Sequence, residues 1–177
     1  MIIRIFALLT VVFFAAAAFG YAKGGELFEL LKKFFESFSP YFDDPVKLAL
    51  IIFVNNATKS FAAMLGGFFF GIYPIFFVAS NGYILGAVAA ASAAQRGWYA
   101  TLLAILPHGI IEIPAVILAS AYGVYLGYRF ALALFKGEEF KKHLFEALTV
   151  YLRIILPMLF LAALIEAFIT PRIAGVA

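Results

Sequence analysis

Four ionisable residues stand in stretches that are otherwise apolar: Lys59, His108, Glu112 and Glu166. Each would cost ~2.5 kcal/mol or more if left unpaired at the centre of a membrane-inserted helix. They are therefore expected to face one another, a cavity or the lipid surface. His108 and Glu112 are four residues apart, so on a helix they share a face and can converge on one cation. With Glu166 they make a donor set of one imidazole and two carboxylates, suited to zinc or another divalent cation. The chain has no cysteine, so no thiolate competes for that role. The same residues allow two other chemistries. Glu112 could serve as the base of a metal-dependent hydrolase, with a metal-bound water as nucleophile. Alternatively, Lys59 could pair with Glu112 in a buried polar network that includes Asn55 and Asn56 and fixes helix register without an ion.

The elements that position these groups follow from composition. Of 177 residues, 66% are hydrophobic and 13% charged, against about half and about a quarter in a soluble domain. A water-soluble fold could not bury so much Phe, Leu, Ile and Ala, whereas a bilayer accepts it. The expectation is an all-α, polytopic transmembrane helix bundle in the cell membrane, one integral membrane domain over residues 1–177. The net charge is +3, and the basic residues gather mainly in one loop. Lipid, rather than nucleic acid, is the expected partner of such charge.

Five spans are expected, some of them broken or kinked. The first is Ile2 to Ala22, long enough to cross unaided although a signal peptide is the competing reading. Glu26 to Phe38 places Leu27, Phe28, Leu31, Phe34, Phe35 and Phe38 on one face and charges on the other. That is an amphipathic helix, lying in the interface or packed across the mouth of the bundle. Asp43-Asp44-Pro45 starts the next helix, Val46 to Phe70. Ile72 to Ala94 follows, with breaks expected at Pro74 and Ser80-Asn81-Gly82. Gln95 to Trp98 is a polar link. Tyr99 to Leu134 is long for one span and short for two, so six crossings is the alternative. Arg129 to Glu146 reads as a charged cytoplasmic loop by the positive-inside rule, with His143, Glu138 and Glu139 solvated. The last span, Thr149 to Thr170, is expected to stop at Pro171. Counted along these helices, Asn55 and His108 lie ~12 and ~15 Å deep, Lys59 and Glu112 ~18 and ~21 Å, and Glu166 only ~6 Å. Small-residue patches at Gly66 to Gly71 and Ala87 to Ala94 could pack within one chain or across a homodimer.

The segment Pro107-His108-Gly109-Ile110-Ile111-Glu112-Ile113-Pro114-Ala115 resembles the stage II sporulation protein M family. So do Phe53-Val54-Asn55-Asn56, the stretch Asn81 to Gly86, and Ala162 to Pro171 with its Glu166-x-x-x-Thr170-Pro171 ending. The resemblance implies a polytopic inner-membrane protein. The family's namesake works beside cell-wall-degrading partners during engulfment in endospore formers. This chain looks like the family's small stand-alone members, so that role is not carried across. The function expected first is non-enzymatic, with no catalytic residue: a scaffold, or a subunit of a membrane channel or export complex. A metal-ion-binding permease-like protein using His108, Glu112 and Glu166 is the alternative, and the hydrolase is third.

If Glu26 to Phe38 lies in the interface, replacing Phe34 and Phe35 with Glu should expose the segment to protease in sealed vesicles while the spans stay inserted. Unchanged protection would assign its apolar face to other protein.

Overall fold

A computed structural model describes residues 1–25, 28 and 44–173, so the expected amphipathic helix lies outside the described residues. The described chain forms four long helices: α1 (Ile2–Lys23), α2 (Pro45–Phe68), α3 (Ile72–Lys136) and α4 (Lys141–Ile173). Each is apolar and long enough to cross a bilayer. The described residues contain no strand.

The start of α2 follows its sequence. The Asp44 carboxylate accepts from the backbone N–H groups of Val46 and Lys47 at 3.0 and 3.1 Å. Pro45 sits in the first turn, where a missing N–H costs nothing.

Helix α3 is really two. At Gly97 the backbone leaves helical geometry, with φ 81° and ψ 163°, a conformation that favours glycine. Along a straight helix Ser92 and Thr101 would stand ~13 Å apart. Instead, Thr101 Oγ1 donates to Ser92 Oγ at 2.9 Å. The chain therefore folds back at the polar link, and a first arm (72–96) runs antiparallel to a second (98–136). Counted by arms, five apolar segments could cross a membrane.

The breaks expected inside the first arm are absent. Pro74 falls in its first turn, where no intrahelical N–H bond is due. Asn81 satisfies itself by donating to the Phe77 carbonyl at 2.7 Å, which leaves the helix intact. The second arm runs unbroken through Pro107 and Pro114, so the six-crossing alternative finds no division there. Its roughly 39 residues reach about 58 Å, well beyond a hydrocarbon core of about 30 Å. The charged loop is correspondingly shorter than expected. Good helix formers carry α3 on to Lys136. Gly137, left-handed at φ 70°, closes it through a bond to the Ala133 carbonyl. Helix α4 then begins at Lys141. His143 is not solvated: its Nδ1 is hydrogen-bonded to the Tyr125 hydroxyl at 2.6 Å.

Pro171 does not stop α4. The helix widens into π turns at Tyr151–Ile155 and Ile165–Ile169, and each is followed by one residue and then a proline. Leu156 and Thr170 donate to carbonyls five residues back, at Tyr151 and Ile165. A proline lacks an N–H and crowds the carbonyl four residues earlier. A widened turn just before it relieves that crowding and lets the helix continue.

Small residues bring the segments together. Gly86 meets the Ala17 carbonyl so closely that a Cβ there would collide with it, and Gly67 meets Gly123 in the same way. The Gly66 to Gly71 patch is thus used within the chain. Around it Met64, Ala115, Ala119, Leu126, Ile155 and Leu159 form a fully buried core.

With the arms antiparallel, Gln95 and Glu139 lie at opposite ends of the second arm. Single cysteines at these exposed positions should label from opposite sides of sealed vesicles. Labelling from one side would exclude a second arm that crosses.

Candidate metal centre

The fold brings three distant residues to one point. His108 and Glu112 project from the second arm, one turn apart, and Glu166 comes from the π turn of α4. Each offers a ligand atom, and these atoms all lie within 4.8 Å of one another. All three side chains are partly buried. The short depth expected for Glu166 assumed that α4 ended at Thr170. The helix runs on to Ile173, and Glu166 lies within its π turn with the carboxylate beside His108 and Glu112.

A second residue fixes the imidazole. His108 Nδ1 stands 3.4 Å from Thr170 Oγ1, at the long end of a hydrogen bond. Thr170 itself donates to the Ile165 carbonyl at 3.2 Å, so its oxygen is free to accept. In the tautomer protonated at Nδ1, the Nε2 lone pair is left for a ligand, the arrangement common in metal sites. Thr170 therefore ties the π turn of α4 to the histidine of the second arm.

The site borders a cavity of about 200 Å³ walled by Asn81, His108 and Glu112 together with apolar side chains. Asn81 and Thr170 were not recognised as site residues from sequence. An amide within an apolar run was the available signal for Asn81. The hydroxyl beside Pro171 was the signal for Thr170.

The other polar residues are arranged differently. Asn55 Nδ2 donates to Asn56 Oδ1 at 3.2 Å, so these two satisfy each other. Asn55 and Lys59 are exposed on the protein surface. Among the described residues the ion pairs within 4.0 Å are Arg129–Glu138 at 3.3 Å and His143–Glu146 at 3.9 Å.

An imidazole and two carboxylates within 4.8 Å match the hard and borderline donors that zinc accepts, and three protein ligands leave a tetrahedral ion one open position. Two carboxylates also neutralise a divalent charge, which matters where little water is present to do so.

The family described as stage II sporulation protein M matches residues 5–171. The chain belongs to that family. It is 38% identical over 82 residues to an uncharacterised protein of Methanocaldococcus jannaschii, a match covering 46% of this chain and 35% of that protein. A second uncharacterised protein of the same organism is 31% identical over 127 residues, covering 70% of this chain and 71% of its own length. The chain thus spans about a third of the first relative's length and most of the second's. No solved structure matches. All three ligand candidates lie inside the family match, on helices apolar enough to cross a membrane.

Two carboxylates this close repel each other when both are ionised. Without a cation one of them therefore holds a proton, and Glu166→Gln, which mimics the neutral acid, should leave the melting temperature of chelator-treated protein within about 2 °C of the parent, less than the shift that ~1 kcal/mol produces in a chain of this size. A lower melting temperature would show that Glu166 holds the bundle together without any ion.

Proposed function

We propose that the protein is a multi-pass, non-enzymatic component of the cell membrane that binds a divalent cation of the zinc type inside the bilayer. His108, Glu112 and Glu166 are the ligands in this reading, and Thr170 orients His108. The observation that carries it is the convergence of the three ligand atoms within 4.8 Å from two separate helices. Partly buried groups that would be costly if left alone become compensated once an ion joins them. The cation would hold the second arm to α4, as a scaffold or transport subunit requires, and its open position would face the cavity.

A second reading rests on residue type: Lys59 is the cation that the sequence sets, like Glu112, within an apolar helix. Here the ammonium takes the place of the ion, and the cluster is a polar network that fixes how the helices meet.

Elemental analysis after exhaustive dialysis separates the two. The metal reading expects one divalent ion per chain, lost in His108→Ala, Glu112→Ala and Glu166→Ala and retained in Lys59→Met. Thr170→Val should weaken retention by roughly 10- to 100-fold, the usual cost of removing an outer hydrogen bond from a ligand histidine. The network reading expects no metal and a large Lys59–Glu112 coupling in a double-mutant cycle. Breaking one partner of such a pair alone costs about 3–5 kcal/mol, most of it recovered when both are removed. Full metal retention by the Glu112→Gln variant would sink any essential role for that carboxylate.

A further inference from the structure

The two arms of α3 keep a common register. Thr101 Oγ1 meets Ser92 Oγ at 2.9 Å beside the reversal at Gly97. Eleven residues back from Ser92 is Asn81, and eleven on from Thr101 is Glu112, about 16 Å along each arm. The arms still touch farther on, where a Cβ on Gly123 would press on Pro74. Asn81 and Glu112 therefore lie at one level, and both line the cavity of about 200 Å³ that His108 also borders. The Asn81 nitrogen donates to the Phe77 carbonyl at 2.7 Å. A carbonyl only accepts, so this bond fixes which way the amide is turned and leaves Oδ1 on the other side. No donor among the described residues reaches that oxygen, and protein does not seal it off. Glu166 is not on the cavity wall. Its carboxylate meets His108 and Glu112 from α4, which leaves the ion's open position towards the cavity.

We propose that Asn81 governs the exchangeable position of the ion: its carboxamide oxygen accepts a hydrogen from a water on the cation, so the site takes water there in preference to an anion. The inference rests on the metal reading and adds the occupant of the open position. Three protein donors leave a zinc-type ion one such position. At about 30 Å³ per molecule, the cavity has room for a few waters. A buried water needs at least two polar partners, and the ion and Asn81 Oδ1 supply them. Charge points the same way. A divalent ion with two carboxylates is neutral, and the carboxamide turns its negative end to the open position. A water offers hydrogens to that oxygen. An anion would meet its lone pairs instead, and would add charge to a wall that includes Phe13, Ile84, Leu85 and Val88. The bond to Phe77 alone gives Asn81 little structural weight, because that carbonyl already accepts the backbone N–H four residues on, as in any α-helix. Through the water, the first arm joins an ion already shared by the second arm and α4.

The test uses full-length protein in non-ionic detergent, loaded with cobalt in place of zinc so that visible absorption reports the ligands around the ion. Azide, a small anion with no hydrogen to donate, is titrated in at saturating cobalt. Asn81→Leu keeps the size of the side chain and removes the oxygen. It should weaken ion retention about tenfold, the low end of what a lost outer hydrogen bond costs. It should also bind azide about fivefold more tightly than the parent, because the competing water has lost one hydrogen bond. Asn81→Ala should do the same and serves if the leucine variant does not fold. Asn81→Asp keeps the acceptor and adds charge, so it should hold the ion and exclude azide. A purely structural role for Asn81 would move the melting temperature and leave azide affinity unchanged. Equal azide affinity in the parent and in the leucine and alanine variants, or tighter azide in the parent, overturns the role of Asn81 and leaves the metal reading standing. A parent that retains neither cobalt nor zinc overturns both.

Discussion

Charge in a medium of low dielectric is the constraint to which much of this structure answers. An imidazole and two carboxylates within 4.8 Å cannot be left uncompensated among Ile, Leu, Val and Phe side chains. The elements around them are placed accordingly. The second arm supplies two donors one turn apart, α4 delivers the third through a π turn, and Thr170 fixes the ring between them. The reversal at Gly97 then lays the first arm alongside, so that Asn81 completes the polar wall of the cavity. Close backbone contacts at Gly86 and Gly67 allow these helices to approach without side chains between them.

Much of the bundle was legible in the sequence because hydrocarbon imposes a simple code of long apolar runs and interruptions. The onset of α2 at Asp44-Pro45 and the polar link ending at Trp98 follow from local chemistry alone. His108 and Glu112 could be paired because four-residue spacing is a property of any helix. What could not be read depends on tertiary packing. Ser80-Asn81-Gly82 has the composition of a turn, yet the Asn81 amide is satisfied by the Phe77 carbonyl and Gly82 lies against α1 at Phe13. Pro171 has the character of a stop, yet a widened turn absorbs it. His143 was expected in water because its neighbours are charged. Only the fold brings Tyr125 to it, at 2.6 Å.

Glu166 shows how depth and direction separate. Counting residues from the end of a span assumes a regular helix with a known terminus, and α4 has neither. Its axis continues beyond Thr170, and its backbone register shifts by one at Ile165–Ile169. Family membership over residues 5–171 covers this region, but a motif alone does not reveal which way its carboxylate points.

The π turn has a consequence for how this chain can change over generations. Such a turn holds one residue more than the α-helical path needs. Deleting one residue between Ile165 and Ile169 would close the bulge to an ordinary helix and leave the segments on either side in place. Within the closed turn Glu166 would be lost or rotated by up to about 100°, one residue's step, away from His108 and Glu112. Length in this short stretch is therefore inherited as strictly as residue type, and an alignment gap there would mark a lineage that has given up the site.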